Sequence, residues 1–418
     1  MGQRARRRLS AALAAALAAL MLSPQMGELS RLPDRMVLDA GSVTVIPVSA
    51  AVRAEASGAI AQVEAEPGSA GGVLRLTAGE DGEGELTFRL LGFLPLRTVK
   101  LSVQPRRRLV PGGQSVGVAM RTGGVVVVGS SDLGRTASPA RLAGLKSGDV
   151  IRSVDGAAVT GAEQLSEALA DGRPARLSVL RDGGVMECDV TPALDDRDGR
   201  YRLGAWVRDS TAGVGTLTFY DPQTGRFGAL GHAITDVDTG VLMPVGEGGI
   251  YRNRVVGVTP SRKGSPGELT GDFLDETQAL GTVELNTEYG IFGRSEAAMY
   301  GGLYADGLPA ATREQVHTGA ATLLTTVDGG AAREYDCEIV RLSGAAESAA
   351  RAMVVRVTDP ELLAVTGGIV QGMSGSPLIQ DGRLVGAVTH VMVNDPVMGY
   401  GILIETMLEA CGEDREAA

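Results

Sequence analysis

The chain has 418 residues, of which 44% are apolar, 59 are glycine and only 4% are aromatic. This length predicts two or three domains, and the composition favours short strands and turns over long helices. The net charge of −11 argues against a nucleic-acid partner. The cysteines are scattered and odd in number, which predicts neither a metal-ligand cluster nor a disulfide framework, and no cofactor is expected.

Residues 1–30 have the layout of a secretory signal. Arginines at positions 4, 6, 7 and 8 precede an apolar run from Leu9 to Leu22, which is short for a full membrane span. No clear small-residue cleavage site follows this run. We therefore predict a signal-anchor helix, with the rest of the chain outside the cytoplasm and either membrane-anchored or secreted.

Residues 31–110 are predicted to form a small β domain. Strand-like runs such as Val43–Val48 and Leu86–Leu90 are separated by polar, glycine-rich turns such as Gly79–Gly84. No chemistry is visible in this region.

Residues 111–194 resemble a PDZ domain of the bacterial protease type. The resemblance is carried by Pro139-Ala140, Gly148–Ile151 and Asp155-Gly156, followed by a run with helical spacing from Ala162 to Leu169. It implies a groove in which a peptide adds a strand to the sheet and a loop of N–H groups holds the chain-end carboxylate. The predicted loop consists of Ser115, Val116, Gly117 and Val118. The alternative is a module that only packs against its neighbour.

Residues 195–418 are predicted to form the last domain. A short charged linker is followed by short apolar strands and many glycines, which is an all-β pattern. A pair of barrels or a sandwich suits a segment of this length.

The main chemical signal in this domain is Ser374, which lies in Gln371–Pro377. Flanking glycines allow a sharp turn that presents the hydroxyl and points nearby N–H groups at one spot. Ser374 is therefore a candidate nucleophile, and the Gly372 and Ser374 amides are the candidate oxyanion donors. The alternative is a glycine-rich turn between two strands.

A serine nucleophile needs a base, and the chain has three histidines. His232 lies among glycine and small residues, which predicts a tight, partly buried position. His317 lies in a polar run typical of an exposed edge. His390 lies on a strand after the serine segment and is expected to line a pocket wall or the core. His232 is the best candidate by elimination.

The third member of a triad is a carboxylate that orients the imidazole. Asp359 ends a strand shortly before Ser374, but an Asp-Pro pair is also a common turn initiator. Spacing does not choose between Asp359 and four competitors, namely Asp236, Asp272, Asp275 and Asp395.

Two motifs together resemble the SpoIVB peptidase family. They are Gly231–Asp236 and Gly367–Pro377, and Gly386–Val391 with Asn394–Pro396 supports them. The family consists of sporulation serine peptidases that are distantly similar to chymotrypsin-like enzymes. The resemblance implies a mainly β chain that ends in a double β-barrel, with His232, Asp359 and Ser374 as its catalytic triad.

The resemblance also implies a biological role. Such enzymes cross into the space between the two membranes of the forespore of an endospore-forming bacterium. There they cleave themselves and a membrane complex that restrains an intramembrane protease, which activates a late sigma factor. Two other functions stay open, a non-catalytic PDZ scaffold at the membrane and a general envelope quality-control protease.

Overall fold

The computed structural model describes residues 32–49, 51–58, 60–68, 71–104, 107–275, 278–295, 299, 303–343 and 348–412. The signal-anchor predicted for residues 1–30 lies outside this part of the chain. Among the described residues, no helix combines the length and apolar character needed to cross a bilayer. The chain divides into two compact units, residues 1–107 and 108–418, and each is described by itself.

The first unit is a small β structure with two sheets. Its strands are β1 (Arg35–Asp39), β2 (Val43–Val48), β3 (Val52–Ala56), β4 (Ala61–Gly68), β5 (Gly71–Ala78), β6 (Gly82–Leu90) and β7 (Leu94–Gln104). One sheet has the order β1-β7-β6-β3 and the other β2-β5-β4. Apolar side chains at alternate positions, such as Leu86 and Phe88 on β6, meet Leu74 and Leu76 of the other sheet in one core.

The second unit begins with a PDZ-like region. Its elements, in chain order, are β8 (Arg108–Pro111), β9 (Ser115–Ser130), α1 (Pro139–Leu142), β10 (Val150–Val154), β11 (Ala157–Ala158), α2 (Ala162–Ala168), β12 (Ala175–Arg181), β13 (Gly184–Val190), β14 (Ala193–Asp195) and β15 (Arg200–Arg202). Ile151, Leu165 and Leu177 belong to its core. The buried Asp149 carboxylate receives Arg181 on both oxygens, at 2.7 and 2.6 Å, and ties the Gly148-Asp149 turn to β12.

The strands that follow build a first barrel. They are β16 (Ala205–Tyr220), β17 (Arg226–Ala229), β18 (Val245–Thr259), β19 (Glu268–Phe273), β20 (Gly281–Thr287), β21 (Gly290–Arg294) and β22 (Leu308–Pro309). Pairing runs β9-β18-β20-β21-β17-β16, and β16 pairs with β9 to close the ring.

The last strands form a second closed barrel, in the order β23-β24-β25-β28-β27-β26. They are β23 (Gly319–Thr325), β24 (Arg333–Leu342), β25 (Met353–Val357), β26 (Pro377–Gln380), β27 (Arg383–Val391) and β28 (Met398–Leu403). Helix α3 (Pro360–Thr366) precedes β26, and α4 (Ile404–Ala410) follows β28. Two short 3₁₀ helices are Arg313–Gln315 and Ala349–Arg351.

Two long strands, β9 and β16, pair across the boundary predicted between residues 194 and 195. Strand β9 pairs with β18 through Val116–Thr122, inside the barrel, and with β10 through Val125-Val126, inside the PDZ-like sheet. Strand β16 likewise serves both regions. The two strands are long enough to run through both sheets, so the PDZ-like region and the barrel share backbone and no linker separates them.

Candidate active site

Ser374 lies in the serine turn, residues 371–376, between α3 and β26. Gly372 and Gly375 both have φ +95°, a region that side chains rarely adopt. A Cβ on Gly375 would lie 2.2 Å from the Thr216 carbonyl oxygen, so this position also needs glycine for space. The glycine pattern in the sequence therefore reflects a turn that folds sharply and packs tightly against the first barrel.

Strand β16 holds the serine turn from the side of the first barrel. The Thr216 amide donates to the Ser374 carbonyl at 3.0 Å, and its hydroxyl donates to the Gly372 carbonyl at 2.8 Å. The Thr218 hydroxyl donates to the Gly375 carbonyl, also at 2.8 Å. Three carbonyls of the turn are thus fixed by hydrogen bonds that cross from one barrel to the other.

The amides of the serine turn divide into two groups. Those of Gln371, Met373, Gly375 and Ser376 donate to backbone carbonyls of the protein. Those of Gly372 and Ser374 have no acceptor within the described part of the chain. These are the two amides predicted as oxyanion donors, and they are the ones that the fold leaves available.

His232 follows β17 at the start of the histidine loop, residues 232–244. It is preceded by two left-handed residues, Leu230 and Gly231, each with φ +69°. This conformation is uncommon for leucine and is a strain of the kind found at functional sites. A Cβ on Gly231 would lie 3.1 Å from Cγ2 of Thr389, so the backbone before His232 packs closely against β27.

The tautomer of His232 is set by its own loop. Its Nδ1 lies 2.8 Å from the Ala233 carbonyl oxygen, which can only accept, so Nδ1 carries the proton and Nε2 is the basic nitrogen. Burial lowers the pKa of His232 below its usual value, and the bond to Ala233 offsets this in part. The imidazole is therefore neutral near pH 7 and able to accept a proton.

Ser374 and the backbone that precedes His232 both approach Thr389. The Ser374 hydroxyl donates to the Thr389 carbonyl at 2.6 Å, and a Cβ on Gly231 would lie 3.1 Å from the Thr389 side chain. The serine proton is thus held by a carbonyl in this structure, and it is not bonded to the imidazole.

The other two histidines have different positions. The His390 ring centroid lies 4.8 Å from that of His232, with an interplanar angle of 39°, so His390 lines the site. His390 is exposed as a residue, yet partial desolvation of its ring, together with the His232 and Arg351 charges, lowers its pKa to about 4. His317 is exposed, and its Nε2 lies 2.9 Å from an Asp381 oxygen.

The structure gives Asp359 a different set of contacts from those of a triad member. It is the N-cap of α3: Oδ1 accepts from the Leu362 amide at 2.9 Å, and Oδ2 accepts from the Asp336 amide at 3.3 Å. Among the described contacts, the imidazole Nδ1 is bonded to Ala233 and not to a carboxylate. The triad role of Asp359 stays a prediction.

Of the competing aspartates, Asp236 lies nearest His232 in the chain. It is buried, and its Oδ2 lies 2.9 Å from Nη1 of Arg208. Burial alone would raise the pKa of Asp236, but hydrogen bonds from Thr239 and the Arg208 charge lower it overall. Asp272 forms an exposed ion pair with Arg254, and Asp395 lies exposed in a turn.

The predicted carboxylate-binding loop, Ser115–Val118, is wrong. These residues are buried in β9, which pairs with Gly213–Thr216 of β16 on one side and with Ile250–Arg252 of β18 on the other. A strand paired on both edges leaves no place for a peptide to add.

A groove with PDZ character lies elsewhere, between α2 and the first residues of β16. Its lining includes Leu165 of α2, the C-cap residue Leu169 and the segment Leu203–Val207. We call this the peptide groove. Ala205–Arg208 pairs only with β9 within the described residues, which leaves its other edge open. The amides of Leu203 and Gly204 have no acceptor in the described chain, whereas both carbonyls are bonded inward.

The sequence signal for this groove was Tyr201–Trp206, which joins an aromatic residue, an apolar residue and a glycine just before a strand. The prediction missed it because the groove strand follows the helix in the chain instead of preceding it. No group of histidine, cysteine or carboxylate side chains suited to a metal ion occurs among the described residues.

Two β-barrels with a glycine-set serine and a neutral histidine at their junction define a serine peptidase. The profile of the SpoIVB peptidase S55 family matches residues 199–408, and the chain belongs to this family. A PDZ domain profile matches residues 133–181.

Matches among solved structures include the Rv3671c protease of M. tuberculosis. Its inactive form is 15% identical, with 48% of this chain and 83% of that chain covered at a TM-score of 0.27. Its active form is 17% identical, with 48% and 72% covered at a TM-score of 0.26. No curated protein sequence matches the chain.

Proposed function

We propose that this serine peptidase is a sporulation endopeptidase that cuts through an acyl-enzyme on Ser374. The observation that carries the mechanism is the serine turn, in which the Gly372 and Ser374 amides are left without acceptors beside the hydroxyl. Amides fixed in this way can stabilise the oxyanion of a tetrahedral intermediate at no cost of reorganisation.

The reaction begins when the Ser374 hydroxyl rotates away from the Thr389 carbonyl and towards Nε2 of His232. Nε2 takes the hydroxyl proton while Oγ forms a bond to the scissile carbonyl carbon. The carbonyl electron pair moves to oxygen and is received by the two free amides. His232 then returns the proton to the leaving amine as the C–N bond breaks, and water releases the acyl group by the same steps.

The imidazole needs a partner at Nδ1 while it carries the transferred proton. In this structure the partner is the Ala233 carbonyl, at 2.8 Å. The family resemblance assigns this role to Asp359, whose carboxylate now caps α3. Both arrangements hold the same tautomer, and only the carboxylate also stabilises the charge of the imidazolium.

The biological setting is proposed from the family and from the basic, apolar N-terminal segment. The enzyme is placed in the intermembrane space of the forespore, anchored in the membrane or secreted. Its substrates are itself and a membrane-associated regulator of an intramembrane protease, whose cleavage leads to activation of a late sigma factor.

The peptide groove is proposed to recognise the free carboxyl end of a protein chain that ends in apolar residues. The open edge of Ala205–Arg208 supplies the backbone partners for an added strand. The free amides of Leu203 and Gly204 suit a carboxylate, and Leu165 and Leu169 suit an apolar last side chain.

A fluorophosphonate probe tests the mechanism directly, because it reacts only with an activated serine. The wild-type chain should be labelled, and both Ser374→Ala and His232→Asn should not be labelled, with thermal unfolding unchanged in all three. Ser374→Ala expressed in a sporulating host should also accumulate in its uncleaved form. An unlabelled wild-type chain would favour a scaffold, and broad digestion of unfolded proteins would favour a quality-control protease.

A further inference from the structure

Strand β16 connects the peptide groove to the active site without a break. Its first residues, Ala205–Val207, line the groove, and further along Thr216 and Thr218 hold the serine turn. A shift of the strand at the peptide groove can therefore be transmitted along β16 to the serine turn.

Two adjacent side chains lie on β16 between these ends, where the register with β9 shifts near Arg208 and Ser210. An Asp209 oxygen accepts the Ala162 amide at 2.9 Å, which ties β16 to the first turn of α2. Arg208 bonds to Asp238 at 2.8 Å and approaches Asp236 at 2.9 Å, which ties β16 to the histidine loop. One point of the strand thus holds both the groove helix and the loop that carries His232.

Asp236 is the organising residue of the histidine loop. Its Oδ1 accepts from the Thr239 hydroxyl and amide, both at 2.9 Å, and from the Asp238 amide at 3.2 Å. Its Oδ2 lies 2.9 Å from Nη1 of Arg208 and accepts no well-directed hydrogen bond among the described residues. Arg208 therefore supplies the counter-ion of a buried carboxylate, and its loss would leave that charge uncompensated.

The rest of the loop is held by Asn286 of β20. Its side chain bonds to the amide and carbonyl of Ile234, at 2.9 and 2.7 Å, and to the Met243 carbonyl at 2.9 Å. Hydrogen bonds thus hold the loop to the barrel through Asn286 and to the groove strand through Arg208. Of these two ties, the one through Arg208 runs towards the peptide groove.

We propose that Arg208 is a positioning residue for His232, and that a peptide bound along Ala205–Val207 acts on the histidine through Arg208. The inference rests on the proposed function. A peptide with a free carboxyl end adds a strand to the edge of β16 and fills the space under α2, which fixes the strand at Arg208-Asp209. The ligand thereby favours the arrangement in which Arg208 holds the histidine loop. Couplings between two sites typically change the affinity at the second site by about 5- to 150-fold.

The experiment measures the second-order rate of fluorophosphonate labelling of the full chain, from pH 5 to pH 9. A peptide is first selected on the Ser374→Ala chain from a library with free carboxyl ends, and its carboxamide is the control. In the wild-type chain the peptide should raise the labelling rate about 5-fold or more, and the carboxamide should not.

The variants separate positioning from general stability. Arg208→Gln should still bind the peptide, label more slowly and show no response of the labelling rate to the peptide, with the acidic limb of its pH profile displaced. Arg208→Lys keeps the charge and should restore part of the response. Arg254→Gln, which removes an exposed arginine paired with Asp272, should behave as the wild type.

Three results overturn the inference. They are an Arg208→Gln chain that responds to the peptide as the wild type does, a library without any binder, and a selected peptide that leaves the wild-type rate unchanged. A wild-type chain that is never labelled refutes the proposed function itself, so the two failures are distinguishable.

Discussion

Thr216→Val tests whether the first barrel holds the oxyanion donors in place. Valine has the shape of threonine but lacks the hydroxyl that donates to the Gly372 carbonyl at 2.8 Å. Thr216 is buried and Gly372 is half-buried, so valine removes a largely shielded donor from the carbonyl between the two predicted oxyanion amides. The turn then gains freedom to rotate the Gly372 and Ser374 amides out of alignment.

The magnitude follows from the lost bond. An unsatisfied buried carbonyl costs about 1–3 kcal/mol. If the misaligned amides raise the activation free energy of labelling by this amount, labelling of Ser374 slows by roughly 5- to 150-fold. This follows because about 1.4 kcal/mol corresponds to a factor of ten in rate. Thr216→Ser keeps the hydroxyl and loses one methyl group, so it should lose about 1 kcal/mol of stability with little loss of rate.

The assay compares fluorophosphonate labelling rates and thermal unfolding of the two variants. The expected result is a slow Thr216→Val and a near wild-type Thr216→Ser. Equal labelling rates in the two variants, with both destabilised, would refute the reasoning, because the hydroxyl would then act on stability alone.

Three further predictions concern other residues. Because burial lowers the pKa of His232, the acidic limb of the labelling rate should lie below about pH 6.5, the ordinary value for histidine, and a limb at or above it contradicts His232 as the buried base. Asp359→Ala should lower the free energy of unfolding by about 1 kcal/mol because the α3 cap is lost, whereas Asp359→Asn should keep the cap. A wild-type labelling rate in Asp359→Asn would remove Asp359 from the triad. A large loss of labelling rate without unfolding would place it there. Asp149→Asn leaves the Arg181 charge without its carboxylate partner and should lower the free energy of unfolding by about 3 kcal/mol in denaturant. An unchanged unfolding midpoint would count against a structural role for the pair.

Much of the site was predictable because it depends on local chemistry. Gly372 and Gly375 in the sequence indicated a sharp turn at Ser374, and the structure places both in the left-handed region. The family and the presence of a PDZ domain were also predicted correctly from short motifs. These features depend on residues that lie close together in the chain.

The features that the sequence did not give depend on contacts between distant segments. Thr216 meets Gly372 only because β16 crosses from the first barrel to the serine turn, and nothing around Thr216 in the chain marks it. The place of Ser115–Val118 was misjudged for the same reason, since a run of small and apolar residues fits a loop or a strand that is paired on both edges. The position of the His390 ring beside His232 is likewise a product of barrel closure.

The register of β9 and β16 has a consequence for how such a protein arises. Ser130, the last residue of β9, pairs with Ala205, the first residue of β16. The whole segment between them therefore connects the two strands of one antiparallel pair, in the place of a hairpin loop. An ancestral barrel could have acquired the PDZ-like segment as an insertion at the tip of that hairpin. A chain in which residues 131–204 are replaced by a two-residue turn should therefore still close its barrel, whereas a cut at residue 194 would remove a strand from it.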